Sequence, residues 1–276
     1  MLRKLQVAAI LSCMLSYAAA GTVSIGTANA RGNMRVDSYN VKGNATLFNG
    51  SMIETGEASA DLRLNKGTQI TMSSSSRGTL YSDHLILQQG ETELAASSPF
   101  QLDANGIVRV IPNEPNSRGI VTLKPGNTVE VASLSGSFGV TNEHGVLVAN
   151  VHPGRVLSFA MQAGANPTSF SGVGLVSFEN GTYYLTTDED VKYVLTCKDS
   201  HKYVGDKVVV TGTIESTPGQ TGPGAQMLCI KSMDINGATG MSKGTKWLIA
   251  GILIGAGAGI GIALAGRGSS PPPASR

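Results

Sequence analysis

Aromatic and charged residues are scarce in this chain, at 5 % and 14 % of 276 residues. A net charge of only +2 sets up no extended field of one sign, so nucleic acid is not an expected partner. The four histidines, at 84, 144, 152 and 201, lack the paired spacing with cysteine or carboxylate that a zinc site needs. Neither a G-x-S-x-G elbow nor a phosphate-binding P-loop occurs. The glycine run 255–261 lies in an apolar stretch, whereas a dinucleotide loop has to follow a strand. No catalytic set, metal centre or cofactor site assembles from these residues, and the expected class is non-enzymatic. The one dense acidic stretch, Asp188-Glu189-Asp190, reads as a solvated hairpin tip in preference to a calcium site.

What the chain has in excess is glycine, 35 of 276 residues, against a usual share of about 7 %. Two apolar ends frame the sequence. Residues 1–20, "MLRKLQVAAILSCMLSYAAA", place Arg3 and Lys4 before an apolar core and close on small residues, the pattern of a secretory signal peptide. Cleavage is expected near residue 20 or, as a second option, after Ala28-Asn29-Ala30, so the leader is bounded by residues 1–30. At the other end, Trp247 to Gly266 carries no charge, and as a helix it would reach about 30 Å, the thickness of a bilayer core. One transmembrane helix is therefore expected over 247–266, followed by a short tail over 267–276. Gly251, Gly255 and Gly259 would share a helix face at the spacing that lets a second helix approach closely. A homodimer through that face and a plain anchor both stay open. Together these ends predict an exported chain, tethered to a membrane with its bulk outside the cytoplasm.

The body between the ends has no helical periodicity. Alternation dominates instead, as in "ADLRLN", "DHLILQQ", "GIVRVIP" and "NTVEVASL", with apolar residues at every second position and Gly-rich turn words between. That pattern predicts an all-β body. A short phrase recurs in it: "LFNGSMIET", "LNKGTQITM", "LQQGETELA", "LKPGNTVEV" and "VHPGRVLSF". Each places a glycine (50, 67, 90, 126 and 154) where one strand is expected to end, turn and give way to the next. The unequal intervals rule out a strict solenoid and leave a β-sandwich or a twisted β-solenoid.

Within residues 31–160 the matching positions Gly50, Thr55-Gly56, Ala60, Leu62, Leu64, Gly67, Ile70, Leu85, Leu87 and Gly90 resemble the FecR-type domain of bacterial envelope proteins. The resemblance implies an exported β domain in the bacterial cell envelope, and with the expected span it implies anchoring to the inner membrane with the bulk in the periplasm. It departs from the family's signalling members, which set a cytoplasmic anti-sigma segment and one span before the domain. Here the leader precedes the domain and the expected span follows it, so direct transcriptional control is not implied.

A linker over 161–171 precedes a second unit over 172–238. Its strands and the segment "YVGDKVVVTGTI" are similar to the small OB-type barrels of exported bacterial proteins, which suits five short strands. Tyr183, Tyr184, Tyr193 and Tyr203 are the candidate ligand-surface residues of this unit, with closure of the barrel ends as the alternative. Cys197 and Cys229 form either a disulfide or two buried thiols; in an oxidising compartment an even pair favours the disulfide. The expected function is display outside the cytoplasm for binding, sensing or assembly, with an envelope protein or glycan as partner. The alternative is a regulatory subunit acting through a partner's membrane helix by way of the glycine face.

Overall fold

Strands form wherever the sequence alternates. The computed structural model describes residues 23–97, 99–162, 168–216, 226–235, 247–249 and 251–256. Its first strands are β1 (Ser24–Ala30), β2 (Met34–Val36), β3 (Tyr39–Val41), β4 (Asn44–Phe48), β5 (Ser51–Thr55), β6 (Ala60–Leu64), β7 (Gln69–Met72) and β8 (Arg77–Leu80). The 13-residue β9 (His84–Ala96) is the longest. After it come β10 (Gln101–Ala104), β11 (Val108–Pro112), β12 (Ser117–Lys124), β13 (Thr128–Ser135), β14 (Phe138–Thr141), β15 (Leu147–Val151) and β16 (Val156–Met161).

These strands build two sheets that share β9. The first runs β4-β1-β6-β7-β9-β12-β13-β16. The second runs β3-β2-β5-β8-β9-β10-β11-β14-β15, with β9 and β10 parallel. Period-two alternation decides what each face carries. In β6, for example, Ala60, Leu62 and Leu64 are buried while Arg63 is exposed. Leu47, Ile53, Ile70, Leu85, Leu94, Val129 and Phe138 belong to one continuous core, and burying each such side chain is worth about 1.5–3 kcal/mol. The sheets meet closely at Gly119 of the first, where an added Cβ would lie 2.7 Å from Cε2 of Phe138 in the second.

Gly50, Gly67, Gly126 and Gly154 stand between consecutive strands with positive φ. Gly90 departs from the expected turn: it lies inside β9, at φ +89°. Residues up to Gln89 pair with β8 in the second sheet, and residues from Gly90 onward pair with β12 in the first. The phrase that reads as a corner between two strands is a kink that carries one strand across the sandwich. A second departure is at the amino end, where β1 begins at Ser24, within the leader range, and pairs on both sides with β4 and β6.

The second unit comprises β17 (Ser169–Glu179), β18 (Thr182–Thr187), β19 (Lys192–Thr196), a 3₁₀ turn at His201–Tyr203, β20 (Lys207–Ser216) and β21 (Gln226–Asp234). β17 starts inside the stretch expected as linker. The five strands close on themselves in the order β17-β18-β19-β21-β20 and back to β17, all antiparallel except β19 with β21. Phe170, Val176, Leu185, Tyr193, Val208, Val210, Ile214 and Leu228 fill the interior.

The expected transmembrane helix over 247–266 is corrected by the structure. Its first part forms β22 (Trp247–Ile249) and β23 (Ile252–Ala256), a hairpin that turns at Gly251 with φ +79°. β23 pairs with β16 and β22 with β17, so the hairpin joins the sandwich to the barrel. The physical reason is that a short apolar run rich in Ile and bounded by glycine suits a strand buried on both faces as well as it suits lipid. Here the unpaired backbone groups of β16 and β17 supply its hydrogen-bond partners. Ile249, Ile252 and Ile254 are buried against the protein core. The helix-packing role of Gly251 and Gly255 falls with the helix, since one is a turn residue and the other sits opposite Ser158 in a sheet. Gly259 and residues 257–276 lie outside the described residues, as does the leader through residue 22. Among the described residues no helix is long and apolar enough to cross a membrane.

Candidate functional site

The four candidate tyrosines do not converge on one surface. Tyr193 lies opposite Leu185, which lies opposite Val176, and this register turns all three into the barrel. Tyr193 is fully enclosed, packs edge-on against Phe170 with ring centroids 5.1 Å apart, and donates from its hydroxyl to Leu147 O at 3.3 Å. Burial pushes its phenol up. It is a core residue, and the expectation of a ligand-surface role is corrected. Tyr203 donates to Met233 O at 3.1 Å, which fastens the 3₁₀ turn to β21. Tyr183 tilts against Phe178, 4.7 Å between centroids, at the far end of the barrel.

Tyr184 points outward. The Lys192 ammonium sits 4.2 Å from its ring centroid and reaches Glu179 Oε2 at 2.7 Å. That hydrogen bond holds the Glu179 carboxyl below the usual carboxylate range. Leu175, on the same face of β17, is about half exposed. A planar ring, a cation and a carboxylate next to apolar surface offer stacking and hydrogen bonding.

The acidic stretch 188–190 is the turn between β18 and β19. Asp188 and Asp190 are exposed as expected of a hairpin tip, but Glu189 is buried and the tip docks on the outer edge of the sandwich. Asn150 N donates to Glu189 O at 2.7 Å, and Asn150 Nδ2 donates to Asp190 O at 2.7 Å. Arg155 donates to Asp188 O at 3.2 Å, and His152 Nε2 lies 3.1 Å from Asp190 Oδ2. Gln226 and Tyr193 both donate to Leu147 O, so β15, the last strand of its sheet, is covered by the barrel. Glu189 is 7 % exposed. Burial pushes its carboxyl above the usual range, Asp188 adds to the shift, and bonds from its own backbone and Thr187 oppose it along with Arg155. The sequence signal for this contact is Arg155, opposite in charge to the acidic stretch, in the same turn as His152.

Cys197 and Cys229 are joined in a disulfide, with Cα atoms 5.1 Å apart, that fastens β19 to β21. Glu215 lies beside them, but sulfurs bonded to each other offer no thiolate to a metal. No protein-family model matches the chain, and no curated protein gives a significant match.

Proposed function

We propose that this chain is an exported, non-catalytic cell-envelope protein that displays its two β units outside the cytoplasm for binding and assembly of envelope components. The observation that carries this reading is the Cys197–Cys229 disulfide, because such bonds persist in oxidising compartments and are rare in the cytosol. The signal-peptide pattern of residues 1–20 agrees with it. Processing near residue 20 leaves β1 intact, whereas cleavage after Ala30 would remove a strand paired on both sides.

The first unit is read as FecR-like. Of the matching positions, Ala60, Leu62, Leu64, Ile70, Leu85 and Leu87 are core residues, and Gly50, Gly67 and Gly90 take positive φ. Such positions set the chain path, so the likeness supports a shared fold and carries no ligand with it. The second unit is read as OB-like, supported by the closed five-strand ring. Barrels of that kind bind along their second and third strands, here β18 and β19, where Tyr184 and Lys192 lie. The relay through a partner's membrane helix rested on the glycine face and has no observation in its favour.

Protease digestion of spheroplasts from cells producing the full chain tests the proposal. Loss of the chain without lysis is expected; survival until the cytoplasm is opened refutes it.

A further inference from the structure

The outer face of the second sheet carries a groove of about 310 Å³ lined by Asp83, His84, Ile86, Gln101, Asp103 and Arg109. Register places these residues together: His84 is opposite Gln101, Ile86 opposite Asp103, and Asp103 opposite Arg109. Behind the lining residue His84 stacks Tyr81, with centroids 4.3 Å apart and planes within 10°. Tyr81 N donates to His84 O at 2.8 Å, and Ser82 N donates to Asn49 Oδ1 at 2.8 Å. The turn that leads into His84 is therefore pinned by hydrogen bonds at both Tyr81 and Ser82.

Its charges are internally matched. Asp83 Oδ1 lies 2.8 Å from His84 Nδ1, and Asp103 lies 3.6 Å from Arg109 Nε. An anion would meet two carboxylates, and a cation would meet the guanidinium. Among the described residues, Asp83, His84 and Asp103 do not bring their ligand atoms together as a metal-binding group. What the groove offers is a row of hydrogen-bonding groups. His84 has Nδ1 engaged, which leaves Nε2; the Gln101 amide both donates and accepts; and Arg109 has donors beyond the one facing Asp103. Apolar surface lies beside them, in Ile86 and in the His84 ring. A ligand that matches needs hydroxyls around its rim and C–H groups on its face.

We propose that this groove binds a neutral oligosaccharide. The lining residues cross three strands, β9, β10 and β11, about 10 Å at the usual strand spacing, so about two units of a longer sugar chain fit across it. The proposal deepens the envelope-display reading by naming the ligand class, and it rests on that reading for access to glycans.

The test uses the full processed chain and three trisaccharides: maltotriose, cellotriose and N-acetylchitotriose. The last reports on acetylated wall-type glycans and the other two on unacetylated ones. Saturable NMR shifts at His84, Asp103 and Arg109 with at least one of them are expected. Arg109→Ala should weaken that binding about tenfold, the scale of one charge-assisted contact, and Asp103→Asn should weaken it without changing side-chain shape. Arg63→Ala, on the outer face of the other sheet, should leave it unchanged. Absence of saturable shifts with all three sugars overturns the proposal, as do shifts centred on β18 and β19. Sugar binding by a chain found in the cytoplasm would refute export and leave the groove standing; an exported chain that binds none would do the reverse.

Discussion

Replacing Gly90 by alanine tests the crossing strand directly. At φ +89° an L side chain costs about 1–2 kcal/mol in backbone energy. The added Cβ would lie 2.7 Å from Ser76 Cα and 2.8 Å from Ser76 Cβ, so Ser76 has to move. Its backbone is held by Thr55, whose Oγ1 accepts from Ser76 N at 2.8 Å and whose N donates to Ser76 O at 2.9 Å. Its hydroxyl donates to Glu91 O and accepts from Glu91 N, both at 3.0 Å. Losing the two Glu91 bonds adds about 1 kcal/mol each, for a total of about 3–4 kcal/mol. Gly126 is the control, with φ +82° and nothing within 4 Å of an added Cβ, so Gly126→Ala meets only the backbone cost. Scanning calorimetry with the disulfide intact should show the Gly90 variant melting about 4–8 °C below the Gly126 variant, at about 2–4 °C per kcal/mol. Equal melting temperatures would refute the account of Gly90 as a close-packed crossing.

Three further outcomes are expected. Glu189→Gln should stabilise the protein at about pH 8, because a buried acid whose folded pKa is raised destabilises when ionised. The advantage should vanish as pH falls below the ordinary value of 4.5, and urea titrations at several pH values read it. Reducing the Cys197–Cys229 bond, which closes a separation of 32 residues, should cost about 3.5 kcal/mol in the chain-entropy model, measured as the denaturation midpoint with and without reductant. Ile254→Asp places a carboxylate at a position 1 % exposed and should cost several kcal/mol, ~3 or more; hydrogen exchange should then show lost protection in β16 and β17, whereas an unaffected sheet would contradict the hairpin.

Much of the fold is legible because alternation is local. "ADLRL" and "TVEVA" announce their strands without reference to anything distant, and four of the five glycine phrases stand between strands. Three features escaped for one shared reason: each depends on what the chain meets far away in sequence. Gly90 looks like its four relatives, and only Ser76 across the crossing distinguishes it. The apolar run from Trp247 has the composition of a membrane span, and only the open edges of β16 and β17 make it a hairpin. Asp188-Glu189-Asp190 has the polarity of a solvent-facing tip, and only Asn150, His152 and Arg155 turn it into a joint. Tyr193 shows the same limit at one residue, since its inward direction follows from register with Leu185. The groove on the second sheet joins residues from three strands and the turn before β9, a set that no spacing in the sequence connects.

The central claim is that the chain is exported and oxidised, and mass spectrometry of the protein isolated from its own cells under alkylation without reductant tests it most directly. The account predicts a chain that begins near residue 21 with Cys197 and Cys229 in linked peptides. A chain that retains residues 1–20 with both of those cysteines alkylated would contradict it.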